Sequence, residues 1–271
     1  MGGIKMSEIK NYEIYTNRMK LGLYDKCWWI DKVLPEVNVV IDFGCANGDL
    51  RDMIEAISPN RFRYIGIEAN DVFYDELDRR NIRHVKNIED ISDGEINWGN
   101  TVLVMNSVVH EIYNYYGGFE FLGIVNYCVS KGIRHIAIRD MNYDISIRNL
   151  DMASAEALLN NLKGVPYRFA LRNSSTANEY FKTHRNSFRN LIEYFLKYKY
   201  TENWERESKE DYFCTWMSDL DEWASLIDLM VCEYVDFFTV LPQIRQIEED
   251  FGIKWDKAVK THAKVLWTNK G

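Results

Sequence analysis

The chain has 271 residues, of which 46% are hydrophobic and 27% are charged. These fractions are typical of a globular protein with a large core and exclude a disordered chain. The formal net charge of −8 disfavours a general binder of nucleic acid or anionic membrane, because both partners are themselves negative.

The first half of the chain alternates short apolar runs with helical patterns, after one or two leading helices over Asn11–Val33. Such runs are typical of strands buried on both faces of a parallel sheet, and the alternation predicts right-handed β-α-β crossovers. The predicted strands are Val37–Phe43, Arg63–Ile67, Ile82–Val85, Thr101–Met105 and Arg134–Ile138, and the predicted helices between them are Leu50–Ala56, Val72–Arg80 and Phe119–Ser130.

The second half predicts longer helices and then two strands, Tyr234–Val240 and Thr261–Thr268, which could pair antiparallel at the sheet edge. Residues 163–199 carry eight basic residues against two acids, whereas residues 202–236 carry eleven acids against two basic residues. Two interpretations remain open: opposite faces that pair, or a basic wall for an anionic substrate. The predicted helices are Asp151–Leu162, Ser187–Tyr200 and Asp219–Met230.

The strongest motif is VVIDFGCANGDL, residues 39–50, in which a strand ends at Asp42 and a helix begins near Asp49. Gly44 and Gly48 would let a ligand approach the loop backbone closely. The spacing is not the G-x-G-x-x-G of a dinucleotide site, and the Asp42 carboxylate suits a ligand with a cationic portion, such as an ammonium. The alternative is an ordinary tight turn between strand and helix.

Two further loops follow the next predicted strands. Glu68 ends RYIGIEAN, where an acid can accept hydrogen bonds from both hydroxyls of a ribose. Asn87 and Ile88 lie in VKNIED, where an amide could meet the edge of an adenine ring and an apolar side chain could pack on its face. A solvated glutamate and a plain loop are the respective alternatives.

Over residues 25–145 these ordered motifs resemble the class I S-adenosylmethionine (SAM)-dependent methyltransferases. The resemblance implies SAM as cofactor, with the glycine loop around the methionine portion and Glu68 on the ribose. The chain departs from many members at Ala46, where they have a third glycine, and at Asn87, where they have an acid. The implied cofactor-binding residues are Asp42, Gly44, Cys45, Ala46, Gly48, Glu68, Ala69, Asn87, Ile88, Asn106 and Ser107.

Candidate catalytic residues follow predicted strands four and five. In the family the loop that here reads NSVVHE lines the passage between cofactor and acceptor, so His110 and Glu111 are candidates for proton chemistry. His110 could take a proton from an oxygen or nitrogen nucleophile. Asp140 could orient the acceptor or act as a base, and Arg139 could clamp an anionic acceptor. The alternatives are a helix-capping or core role for His110, a structural role for Glu111, and a simple Arg139–Asp140 ion pair.

We therefore predict an α/β, Rossmann-like, doubly wound and mostly parallel seven-stranded sheet. About ninety residues separate predicted strands five and six, too many for an ordinary connection, so we expect a helical cap between them over the acceptor site. The predicted domains are N-terminal helices or a lid (1–34), a SAM-binding domain (35–145 and 231–271) and the helical cap (146–230).

The predicted function is methyl transfer from SAM to an oxygen or nitrogen of a small-molecule acceptor. The alternatives are an RNA or nucleotide acceptor, or a non-catalytic SAM-binding protein. The five cysteines form no C-x-x-C pair, so we predict neither a disulfide framework nor a metal site. We expect a cytoplasmic protein with no membrane contact, because no apolar run approaches the roughly 20 residues of a span and the N-terminus has no signal-peptide core.

Overall fold

A computed structural model describes residues 22–142, 188–214, 224, 227 and 230–271. Its centre is one seven-stranded sheet with the order β3-β2-β1-β4-β5-β7-β6. The strands are β1 Val39–Phe43, β2 Arg63–Ile67, β3 His84–Val85, β4 Thr101–Asn106, β5 His135–Met141, β6 Met230–Phe238 and β7 His262–Asn269. The predicted α/β fold with a mostly parallel seven-stranded sheet is confirmed.

The first five strands are parallel, and β1 lies between β2 and β4. Every residue of β4 and β5 is buried, as expected for central strands covered on both faces. Phe43 pairs with Ile67 on one side and with Met105 on the other. The loops that follow β1, β2 and β4 therefore begin at the same level, along one edge of the sheet.

The last two strands pair antiparallel, as predicted, and β7 lies between β5 and β6. This position buries the middle of β7 almost completely, at Val265, Leu266 and Trp267. The residues of β6 are mostly half-buried or exposed, which suits an edge strand.

Nine α-helices fall within the described residues: α1 Leu23–Lys26, α2 Ile30–Val33, α3 Asp49–Ile57, α4 Tyr74–Arg79, α5 Val109–Tyr116, α6 Gly118–Ser130, α7 Phe188–Lys197, α8 Trp204–Glu207 and α9 Leu241–Phe251. The sequence analysis assigned neither α5 nor α9. Pro242 stands in the first turn of α9 and Gly252 ends it in a left-handed conformation. Proline is favoured in the first turn of a helix and glycine just after its last residue, so the sequence did contain signals for both ends of α9.

The predicted helix Asp219–Met230 is wrong at its last residue, because Met230 begins β6 and pairs with Asn269. The other residues of that prediction, apart from Ala224 and Ile227, lie outside the described part of the chain. Residues 1–21 of the predicted lid, and 143–187 with most of 215–229 of the predicted cap, also lie outside it.

The described part of the predicted cap packs on α9. The ring of Phe195 in α7 packs at a tilt of 60° against Phe251 with the centroids 4.9 Å apart, and the Tyr198 ring centroid lies 4.7 Å from that of Phe251. Together with Trp204 and Met141 these residues belong to one buried apolar cluster. Residues 188–213 are thus joined by side-chain packing to the end of β5 and to α9. No helix among the described residues is long and apolar enough to cross a membrane.

Candidate active site

Two cavities adjoin at the carboxyl edge of the parallel strands. The first has a volume of about 290 Å³ and the second about 190 Å³. Ser107 and Glu111 line both. Ser107 follows β4 directly and has a φ of +57°, an uncommon conformation for a residue with a side chain. The sharp turn there lets α5 begin between the two cavities.

The first cavity is lined by most of the residues predicted to bind the cofactor. Its lining includes Gly44, Ala46, Glu68, Ala69, Asn87, Ile88, Asn106 and Ser107. Gly44 has a φ of +76°, and a Cβ there would meet the Val108 side chain at 3.0 Å. The glycine therefore permits both the turn and the close packing of the loops after β1 and β4.

Glu68 is held in place by the neighbouring backbone. Its carboxylate oxygens accept hydrogen bonds from the N–H groups of Ala46 and Asn70, each at 2.8 Å. The side chain is only 8% exposed, and burial raises the pKa of the Glu68 carboxyl to about 7 although these two N–H groups act to lower it. The loops after β1 and β2 are thus joined through one carboxylate at the cavity wall.

Asp42, Cys45 and Gly48 do not line either cavity. The buried Asp42 carboxylate accepts a 2.5 Å hydrogen bond from the Tyr64 hydroxyl, and burial raises its pKa to about 6. Cys45 packs beside Gly66, and Gly48 has a φ of +78° and lies against Ile82. These three residues support the glycine loop from behind.

Asn106 presents a polar atom without a partner at the first cavity. Its amide nitrogen donates a long hydrogen bond of 3.5 Å to the carbonyl of Lys26, whereas its side-chain oxygen is buried and accepts no hydrogen bond. A buried acceptor without a donor is costly, so this oxygen suits a ligand that brings an N–H or O–H group.

The first cavity also contains residues that the sequence analysis did not single out. Asn70, Phe73 and Lys86 follow β2 and β3, and Arg206 comes from α8. The loop positions of Asn70 and Lys86 next to predicted ligand residues were a usable signal. Arg206 is far away along the chain, and no local pattern marks it.

His110 and Asp140 form a buried pair beside the second cavity, which His110 lines. His110 Nδ1 lies 2.7 Å from Asp140 Oδ1, and the His110 backbone N–H donates to Asp140 Oδ2 at 3.0 Å. The Met141 N–H donates to the same carboxylate at 2.6 Å. Burial acts to lower the pKa of His110, but the Asp140 carboxylate outweighs it and the pKa rises to about 9.

Arg139 pairs with Asp25 of α1 and not with Asp140. Its Nε lies 2.7 Å from Asp25 Oδ2, and another guanidinium nitrogen donates to Ser107 Oγ at 3.1 Å. Neighbouring residues of a strand point to opposite faces, which separates Arg139 from Asp140 and rules out the simple ion pair between them. Arg139 also lines the second cavity.

Lys26, which had no predicted role, reaches the second cavity from α1. The residue is 8% exposed. Burial and the nearby Arg139 guanidinium lower the pKa of Lys26 to about 8, although Asp42, Asp140 and Asp25 act to raise it. No pattern in the sequence places this lysine beside β5, because α1 is not part of a β-α-β unit.

A network of buried charges joins the first cavity, which Arg206 lines, to the second, which Glu207 and Glu210 line. Arg206 lies 2.6 Å from Glu111 and 2.8 Å from Glu210, and the Tyr115 hydroxyl donates to Glu210 at 2.7 Å. The Tyr212 hydroxyl donates to Glu207, whose pKa is raised to about 7 by burial. Glu111 is therefore held in an ion pair with Arg206, which favours the structural alternative for this residue.

Where the structure describes the second half of the chain, basic residues of 188–199 form ion pairs with nearby acids. Arg189 pairs with Asp211, and the fully buried Lys197 lies 2.7 Å from Glu193. These two basic residues do not form a solvent-facing basic wall. No group of three or more His, Cys, Asp or Glu side chains in the described ranges could hold a metal ion.

No protein-family model and no curated protein sequence matches the chain. Among solved structures, a SAM-dependent methyltransferase from Archaeoglobus fulgidus has a TM-score of 0.52 at 10% identity, covering 96% of this chain and 100% of that one. The pyocyanin biosynthetic protein PhzM has a TM-score of 0.50 at 8% identity, over 95% of this chain and 57% of that one. The plantazolicin methyltransferase BpumL, solved with SAH, has a TM-score of 0.48 at 11% identity, over 96% and 87%.

At such low identities the likeness concerns the fold. The chain has the fold of the SAM-dependent methyltransferase from Archaeoglobus fulgidus, and the fold that the sequence resemblance implied is confirmed. A shared fold does not by itself establish a reaction, so the chemistry has to be argued from the two cavities.

Proposed function

We propose that this chain, sharing that fold, is a methyltransferase that binds SAM in the first cavity. It would transfer the methyl group to an oxygen or nitrogen of a small molecule bound in the second. One observation carries the proposal: the two cavities adjoin at Ser107 and Glu111, with Glu68 at the first and the His110–Asp140 pair at the second.

The residues of the first cavity fit SAM. Glu68 has both oxygens fixed by backbone N–H groups and can still accept hydrogen bonds from two ribose hydroxyls. The unpartnered side-chain oxygen of Asn106 suits the ammonium of the methionine portion, a role that the sequence analysis gave to Asp42. Ile88 and Asn87 line the same cavity and suit the face and edge of adenine. The bound cofactor would supply an electrophilic methyl group on its sulfonium.

The second cavity supplies the groups that a proton-releasing acceptor needs. Asp140 holds His110 Nδ1, which leaves Nε2 as the nitrogen that can take a proton from the acceptor. Orienting the imidazole and stabilising its charged form are the usual contributions of such a carboxylate. The aromatic residues Phe195, Tyr198 and Tyr212 also line this cavity and would exclude water around the acceptor.

A small acceptor is favoured over RNA by the charges that the structure describes. An RNA-binding groove in the basic stretch 163–199 would need side chains such as those of Lys182, Arg185, Arg189 and Lys197. Lys182 and Arg185 lie outside the described part of the chain. Arg189 and Lys197 are paired with acids. The 190 Å³ volume of the second cavity also suits a small molecule.

Calorimetric titration with S-adenosylhomocysteine (SAH) tests the cofactor part of the proposal. We expect the wild-type protein to bind SAH and Glu68→Gln to bind it at least tenfold more weakly, because an amide cannot accept from both backbone N–H groups. The matched control is Glu76→Gln, which should bind like the wild type, because Glu76 is a partly exposed residue of α4 that pairs with Arg79 and lines neither cavity. Lack of SAH binding by the wild type would refute the proposal.

The transfer itself is tested by measuring SAH released from SAM with a set of small phenols and amines. Binding of SAM without release of SAH for any acceptor would favour the non-catalytic alternative. Release of SAH that depends on an added acceptor would support the enzyme.

A further inference from the structure

Among the described basic residues that line the second cavity, Lys26 is the one whose surroundings favour a negatively charged ligand. It is more than nine-tenths buried, and its ammonium makes no hydrogen bond or ion pair within the described residues. A buried lysine without a partner is costly. The other basic side chains at this wall have acidic or aromatic neighbours.

The carboxylates nearest to Lys26 are already engaged. Asp25 is shared between Arg139 at 2.7 Å and Lys264 at 2.5 Å. Asp140 holds His110, and Asp42 accepts from the Tyr64 hydroxyl. The positive charge of Lys26 therefore has no carboxylate partner among the described residues.

The acids that line the same cavity do not compensate this charge. Glu111 and Glu210 both pair with Arg206. Glu207 accepts from the Tyr212 hydroxyl. All three belong to α5 or to residues 204–210, whereas Lys26 and Arg139 come from α1 and β5. The cavity therefore has a basic side, where the Lys26 ammonium has no partner among the described residues, and an acidic side, where Arg206 and the Tyr212 hydroxyl donate to the carboxylates.

Resting on the function proposed above, we propose that the acceptor is an aromatic carboxylate, held in the second cavity by an ion pair between its carboxylate and the Lys26 ammonium. Phe195, Tyr198, Tyr200 and Tyr212 line the cavity and suit an aromatic ring. Arg139 lines the same cavity but is already paired with Asp25, so Lys26 supplies the positive charge for the carboxylate. The methylated oxygen or nitrogen then lies elsewhere on the ring, within reach of His110.

The test uses benzoate and benzamide as probes, which differ in charge but hardly in shape. Each is titrated into the full chain saturated with SAH. We expect benzoate to bind at least tenfold more tightly than benzamide. Lys26→Met keeps the length of the side chain and removes its charge, so benzoate should fall to the affinity of benzamide, whereas Lys26→Arg should keep the preference.

The matched control is Lys199→Met. Lys199 lines the same cavity but is 37% exposed and lies 3.4 Å from Asp250, so its loss should leave the preference for benzoate unchanged. Equal binding of the two probes by the wild type, or a preference that survives in Lys26→Met, would overturn the proposal. The wild-type comparison decides the question even if Lys26→Met does not fold.

The outcome is separable from that of the proposed function. SAH is titrated first, and its failure to bind would refute the methyltransferase while the probes are still compared on the SAH-free protein. Binding of SAH together with equal affinities for the two probes would refute only the carboxylate acceptor.

Discussion

The two cavities are built in different ways. The first is formed mainly by loops that follow consecutive strands, and its key polar group, Glu68, is fixed by backbone N–H groups. The second is formed by side chains from α1, α5, β5, α7, residues 198–212, α9 and β7. Its polar groups are fixed by one another, as in the His110–Asp140 pair.

This difference has a functional consequence. A site held by backbone turns is set by the fold, so the ligand that it suits changes little when surrounding side chains are replaced. A site held by pairs of charged side chains changes its charge and its pKa values with single substitutions. The first cavity therefore suits a constant cofactor, and the second suits an acceptor that differs between proteins of this fold.

The largest expected effect comes from removing His110, which should change the chemistry at the second cavity and leave cofactor binding at the first unchanged. His110→Ala should lower the turnover by about 10²–10⁴-fold, because general-base catalysis contributes this much, while SAH affinity changes little. Initial rates of SAH formation and calorimetry measure the two quantities. His84→Ala, on β3 and remote from the second cavity, is the control. Weaker SAH binding with unchanged turnover would contradict the assignment of His110 to the second cavity.

A second large effect concerns the pH dependence of turnover. With the pKa of His110 raised to about 9, the base is mostly protonated at pH 7, and the rate should rise about tenfold per pH unit up to that value. In Asp140→Asn the largest raising charge is gone, Glu111 and Glu210 still act to raise the pKa of His110, and burial still acts to lower it. The rise in rate should therefore move to lower pH. The pH–rate profile measures it. If the rate rises over the same pH range in both proteins, a group other than His110 controls it.

A smaller pH effect is expected at the first cavity. There burial raises the pKa of the titrating group, Glu68, whereas neighbouring charges raise that of His110. Burial raises the pKa of Glu68 to about 7, and only the ionised carboxylate offers acceptors to both ribose hydroxyls. SAH affinity should therefore fall as the pH drops below 7, by at most about tenfold per unit. His110→Ala should follow the same curve. A flat affinity between pH 5 and 8 would argue against a role for Glu68 in ribose binding.

The sequence could predict the sheet and most of the first cavity because both depend on local patterns. An apolar run followed by Gly44, Glu68 or Asn87 marks a strand and the loop at its carboxyl end, and parallel strands bring those loops to one edge. Asp42 was harder to interpret. Its position at the end of β1 was predicted, but its hydrogen bond to Tyr64 depends on the next strand.

The second cavity could be predicted only in part. His110 in the first turn of α5 and Asp140 near the end of β5 follow predicted strands, so the sequence could propose them as candidates. Lys26, Glu207 and Tyr212 come together only through packing of α1 and residues 204–212 against the sheet. Charge patterning did include the pairing of basic and acidic segments as one interpretation, and Arg189 and Asp211 do pair. It could not indicate that Lys26 has no partner among the residues that the structure describes.

The smallest expected effect concerns the stability of the glycine loop. A Cβ on Gly48, at φ +78°, would lie 2.4 Å from Ile82 Cδ1 and 3.1 Å from Leu77 Cδ2. Gly48→Ala should therefore lower the free energy of unfolding by about 1–3 kcal/mol. The control Gly123→Ala, in α6 with no atom within 4 Å of its Cβ, should raise it by up to about 1 kcal/mol. Urea unfolding measures both. Because Gly48 lines neither cavity, the folded Gly48→Ala protein should still bind SAH. Equal stabilities of Gly48→Ala and Gly123→Ala would mean that the loop tolerates a side chain at residue 48.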